Sequence, residues 1–259
     1  MELVLLGEVF LVGLFAGFIN VIVGGGSAIM VPFLMAMGFP PKSANALNRF
    51  AMIFNNGIGA TGYARAGKMR WHLALSLSVP AALGSLIGAF LMIKADPDVF
   101  RHVIIALLFA EVAVATISMF FKTKIATVGL NERQEIVAKH YILAGFIGLA
   151  IGTYGGFIGM SMTSILMFVI VVLFRQSCIE SAASAKVATF VISLVATLVF
   201  LVKLKLNWAD WTMGGFLALA YAFGAWAGVK TSIAKGNRWV KGFFIIVVSS
   251  LATYLLLLK

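Results

Sequence analysis

At 259 residues, 62% of them hydrophobic and only 11% charged, the chain has too few polar side chains to cover a water-soluble globule. Its formal charge of +11 does not imply nucleic acid, because Lys and Arg fall in short clusters between apolar runs. Orientation signals and anionic headgroups account for such clusters, and the single Cys178 excludes an internal disulfide.

Apolar runs of about twenty residues match the length that spans ~30 Å of hydrocarbon as helix. Ten segments follow in chain order, at 3–23, 27–38, 44–63, 71–93, 99–121, 139–156, 160–174, 182–202, 211–231 and 239–258. The first begins with Glu2 rather than a basic stretch and has no small-residue cleavage site, so it reads as a retained helix. The second and seventh are short, ~18 and ~22 Å as helix, and each follows a glycine cluster. Either they cross obliquely with help from extended glycine backbone, or they dip in and return. Residues 122–138 are polar and mixed in charge, and read as a linker between a first membrane repeat, 1–121, and a second, 139–259.

The repeat shows in the residues. Ala16-Gly17-Phe18-Ile19, leading to Gly24-Gly25-Gly26, returns as Ala144-Gly145-Phe146-Ile147, leading to Gly152 and Gly155-Gly156. Ala44 to Arg49 is answered by Ser181 to Lys186, and Trp71 with Gly84 and Gly88 by Trp211 with Gly224 and Gly228. If all ten segments cross, twelve Lys/Arg between Arg65 and Lys241 share one side and six share the other, with Arg49 and Lys186 inside segments. That is a usable positive-inside bias. Five crossings per copy is odd, so the two copies are expected to be inverted, which is the signature of a secondary transporter. The expected fold class is therefore all-α and polytopic, in two inverted five-segment repeats.

The pattern Ala-Gly-Phe-Ile-Asn-x-x-x-Gly-Gly-Gly from Ala16 to Gly26, followed by Pro32, Ala44-x-x-Leu-Asn-Arg49, Trp71 and Gly84-xxx-Gly88, resembles the TauE/SafE sulfite-exporter family. Duplication extends the resemblance over nearly the whole chain. It implies transport of a small sulfur anion (sulfite, sulfoacetate or another organosulfonate) across a bacterial inner membrane by a multi-pass protein. The chain departs from the family pattern at Asn20, where Asp is frequent, at Leu47 for Thr, at Ser27 for a further Gly, and at Tyr154 for a Gly in the second cluster.

Arg49 and Lys186 occupy equivalent places, about six residues into their segments. A cation there costs ~2.5–3.5 kcal/mol on insertion scales, so it needs a partner or a wet cavity. Either both face a central path and pair with a transported anion, or each snorkels to the nearer interface. Asn45 and Asn48 keep polar company with Arg49. The clusters Gly24-Gly25-Gly26 and Gly155-Gly156, with Asn20 and Tyr154 beside them, precede short helices whose starts can offer backbone N–H groups to an anion. The alternative is that these glycines only permit a turn or close packing. Gly84-xxx-Gly88 and Gly224-xxx-Gly228 read as packing sites.

Glu111 is the one carboxylate deep within an expected span and could carry a coupling proton. His72, His102 and His140 are scattered near segment ends, so neither a metal nor another cofactor is expected. No Ser/His/Asp set or nucleotide loop argues for an intramembrane enzyme. The expected partners are a small anionic substrate and the lipid bilayer, with a homodimer left open. A passive anion channel or an uptake permease of the same fold stays open beside an exporter.

Overall fold

The computed structural model describes residues 2–106 and 138–257. Over these residues the chain is all-helical, in nine helices. They are α1 (Glu2–Val23), α2 (Gly26–Ala36), α3 (Pro41–Arg65), α4 (Trp71–Lys94), α5 (97–106), α6 (Ala138–Phe157), α7 (Met162–Phe174), α8 (Cys178–Lys203) and α9 (Trp208–Leu257). Glu111, the rest of the fifth expected segment and the linker up to residue 137 lie outside the described residues.

Among the described residues, five stretches are long and apolar enough to cross a membrane: Leu6–Val23, Trp71–Lys94, His140–Phe157, Cys178–Lys203 and Trp208–Val240. Their outward faces, with Leu75, Val79 and Leu83 on α4 and Leu219, Phe223 and Trp226 on α9, are exposed and apolar, as lipid contact requires. This is a multi-pass membrane protein. At 25 residues α3 is also long enough, but Asn45, Asn48, Arg49, Asn55 and Asn56 make it too polar. All five are buried, because α3 turns that face into the protein.

Local chemistry sets the breaks. Gly24 and Gly25 stop α1 in the left-handed region, at φ 82° and 86°, where a residue with a Cβ is strained. After α2, Gly38 at φ 94° and Pro41 at the first position of α3 turn the chain again. Ser177 caps the start of α8, its Oγ accepting the Glu180 N–H and donating to Glu180 Oε2. The ninth and tenth expected segments are the two helical parts of α9, which meet at a kink at Gly236 (φ 79°, ψ 179°), between their expected bounds. Lys230, near the end of the ninth expected segment, places its Nζ 3.9 Å over the Trp226 ring.

Glycines set which helices meet. On α4, Gly84 sits against the backbone of Leu149 and Thr153 on α6, while Gly152 and Gly156 of α6 sit against Ala81 and Ser85 of α4. On α9, Gly224 sits against the backbone of Leu14 and Phe18 on α1, and Gly17 of α1 against Tyr221. Contacts rise together along each of these pairs, so the partners run parallel. α1 and α3 also run parallel, with Gly17 beside Asn55 and Val21 beside Gly59. α3 and α8 run antiparallel, with Asn56 meeting Ser193 and Gly59 meeting Lys186.

Candidate functional site

The two short helices begin against each other in the interior. The Ser161 N–H at the start of α7 donates to Ser27 Oγ at the start of α2 (3.2 Å), and Ser164 Oγ donates to the Val23 carbonyl at the end of α1 (2.8 Å). Neither N-terminus is capped by a side chain: Gly25 and Ser161, both left-handed, hold the N-cap positions. Two positive helix ends and their first-turn N–H groups therefore meet around one point. Of the first cluster, Gly24 lies against Ser164, Gly26 lies against Ala16 and Asn20, and Gly25 keeps space, with Ser164 Oγ 3.7 Å from where a Cβ would stand.

The second break does not lie where the glycine pair suggests. Gly155 and Gly156 belong to the last turn of α6, Gly155 against Met162 and Ile192, and Gly156 against the Ser85 backbone. The chain turns at Ile158 to Ser161, through Gly159 at φ 63° and Ser161 at φ 47°. Sequence reading missed Gly159 and Ser161. Their signal was faint, a lone glycine between apolar residues where a double glycine stood nearby. Tyr154 steadies this turn, its hydroxyl donating to the Met160 carbonyl at 2.7 Å.

Arg49 and Lys186 reach the two breaks crosswise. Arg49, from α3, donates through Nη2 to the Ile158 carbonyl at 2.7 Å, one residue past α6. Lys186, from α8, donates through Nζ to the Asn20 carbonyl in the last turn of α1 at 2.7 Å, and to Asn56 Oδ1 at 3.0 Å. Each cation thus sits at the negative end of a helix from the other half of the chain. Both are 0% exposed, which excludes snorkelling. Neither has a carboxylate within ion-pair distance among the described residues, where Arg70 pairs with Glu180 at 3.3 Å instead.

The asparagines divide between support and display. Asn55 bridges Asn20 Nδ2 (2.7 Å) and the Gly17 carbonyl (2.8 Å), which fixes α1 to α3. Asn45 Nδ2 donates to the Phe157 carbonyl at 3.3 Å, and Asn48 Oδ1 accepts from the Tyr221 hydroxyl at 2.8 Å. Several buried polar atoms have no hydrogen-bond partner among the described residues: Arg49 Nε, Asn48 Nδ2 and Asn45 Oδ1 on α3, and Thr163 Oγ1 in the first turn of α7, next to Met162, whose sulfur lies 3.9 Å from Arg49 Nη1. An unpaired buried donor costs about 1–3 kcal/mol, so these atoms call for partners that the described residues do not supply.

A family model described as sulfite exporter TauE/SafE matches residues 9–255. The chain is 28% identical over 257 residues to a probable membrane transporter protein, ORF9, of Sinorhizobium sp, covering 97% of this chain and 92% of that one. It is 29% identical over 256 residues to the probable membrane transporter protein YfcA of Escherichia coli K12, covering 97% and 90%. A probable membrane transporter protein of Haemophilus influenzae is 28% identical over 250 residues, covering 94% and 91%. No solved structure matches. With that match spanning nearly its whole length, the chain belongs to the sulfite exporter TauE/SafE family.

Proposed function

We propose that this membrane transporter exports a small sulfur oxyanion, sulfite or an organosulfonate such as sulfoacetate, across a bacterial inner membrane by alternating access. One observation carries the reading: a buried guanidinium with unpartnered donors beside it, at the meeting point of two uncapped helix N-termini. The planar fork of Arg49 suits a bidentate oxyanion, with Asn48, Thr163 and the first-turn N–H groups of α2 and α7 completing the shell. Arg49 has no exposed surface, so the anion reaches it only after the halves move.

The motion we propose follows from two inverted five-helix halves. α3 and α8 carry the matched cations and run antiparallel, as inverted equivalents must. The glycine contacts of α4 with α6 repeat those of α9 with α1. Because α1 and α3 run parallel, α2 has to return the chain between them, which favours a crossing over a dip. Energetics favour export: one charge through 100 mV is worth ~2.3 kcal/mol, so a dianion leaving a negative cytosol needs no coupling ion.

The test is flux in liposomes with labelled sulfite, using sulfate, thiosulfate and sulfonates as competitors. Saturable counter-transport that Arg49→Gln abolishes is the expected result. Unsaturable flux, or unchanged flux in Arg49→Gln, would refute the proposal. Cysteine accessibility should place residues 65–70 and 230–241 on one membrane face, and finding them on opposite faces would refute the inverted arrangement.

A further inference from the structure

We propose that Lys186 is a tethered monovalent cation: its ammonium fills an oxygen site that binds Na⁺ once the side chain is removed. Both cations donate to a carbonyl at the end of an interrupted helix, and they differ in the side-chain atoms around them. On the Arg49 side, Arg49 Nε and Asn48 Nδ2 are donors without a partner, beside one unpartnered acceptor, Asn45 Oδ1. Around Lys186 Nζ lie acceptors, the Asn20 carbonyl at 2.7 Å and Asn56 Oδ1 at 3.0 Å. A further acceptor on the same residue, Asn20 Oδ1, is buried without a partner. In membrane transporters, the carbonyl ends of interrupted helices are where alkali cations are coordinated.

The Asn20 carbonyl is of this kind. It already accepts the Gly24 N–H at 3.0 Å in the last turn of α1, and its second lone pair takes the ammonium. The stem of Lys186 is accommodated as well as its head. It passes Gly59 of α3, where a Cβ would stand 3.1 Å from the lysine Cγ and Cδ. The ammonium therefore joins α1, α3 and α8 as a bound Na⁺ would, but cannot dissociate. The cation stays with the protein through the cycle, and the wild-type chain has no use for free Na⁺. This inference does not depend on which anion the Arg49 side carries.

The experiment compares thermal unfolding of the full chain in detergent, in NaCl against choline chloride at equal ionic strength. Wild type is expected to melt at the same temperature in both. Lys186→Ala should melt lower in choline chloride and recover in NaCl by about 3–6 °C at ten times the Na⁺ dissociation constant. Lys186→Met, which fills the space with an apolar chain, should not recover. Equal midpoints for Lys186→Ala in the two salts, or an equal Na⁺ shift in wild type, would overturn the proposal.

If Lys186→Ala does not fold, Asn56→Asp in the wild-type background decides. A carboxylate beside a held ammonium raises the midpoint, whereas a carboxylate with no cation beside it lowers the midpoint and overturns the idea. In saturating NaCl, Lys186→Ala should bind sulfite within about threefold of wild type. A loss beyond that would make Lys186 a ligand of the anion instead. Arg49→Gln should leave the wild-type salt response unchanged, so the two readings fail separately.

Discussion

Gly159→Ala is the most incisive single change. Gly159 holds φ 63°, and a Cβ built there falls on Arg49 Nη2. Two costs follow. Left-handed backbone for an alanine costs about 1–2 kcal/mol. The guanidinium must also leave the Ile158 carbonyl, and a hydrogen bond to a charged group is worth about 1.5–3 kcal/mol. Gly38→Ala isolates the first cost, because Gly38 has φ 94° and nothing within 4 Å of a new Cβ. Gly38→Ala should lose about 1–2 kcal/mol of stability and transport normally. Gly159→Ala should lose about 2.5–5 kcal/mol in total, and its anion affinity should fall at least ~10-fold as the fork is displaced. The assays are thermal midpoint in detergent and sulfite flux in liposomes. If the two alanine variants matched in both, Arg49 would have no positional role at that turn.

Arg49→Lys should keep the charge but recover only part of the flux lost in Arg49→Gln, because one ammonium cannot reproduce a planar fork; kinetics in liposomes will show it as a raised KM. Gly84→Leu and Gly224→Leu should each cost about 3 kcal/mol or more, since the new side chain meets helix backbone that cannot turn aside. Gly215→Leu, with nothing within 4 Å, should be neutral in the same thermal assay. Charge-removing variants of the Arg70–Glu180 pair, half-exposed on the arginine side, should give a coupling of only about 0.5–1 kcal/mol in a double-mutant cycle. That coupling should shrink as salt is added.

The long helices were legible because lipid imposes its own signal: α4 was expected at 71–93 and runs Trp71–Lys94. The first break was legible too, since three consecutive glycines leave little else for the chain to do. The second was not. A glycine pair reads alike whether it opens a turn or lets a neighbouring helix in, and Gly155-Gly156 does the latter. The partners of the two deep cations were also out of reach. Both include backbone carbonyls, 109 and 166 residues away in sequence, and a carbonyl has no letter. The interface-seeking alternative for Arg49 and Lys186 fell to their burial, which the packing of α3 and α8 decides and no single segment of sequence displays.

The polarity of α3 bears on how the chain is made. With five buried Asn and Arg side chains along it, this helix gains little by partitioning alone into lipid as it leaves the ribosome. Asn55 finds Asn20 and Gly17 on α1 already made, but other partners arrive late: Ile158 for Arg49, and Ser193 and Lys186 for Asn56. More than a hundred residues must therefore be synthesised while α3 waits at the insertion machinery or lies unpaired beside α1. The amino-terminal half expressed alone should be a substrate for membrane quality-control proteases. Supplying the carboxyl-terminal half as a separate polypeptide should rescue it.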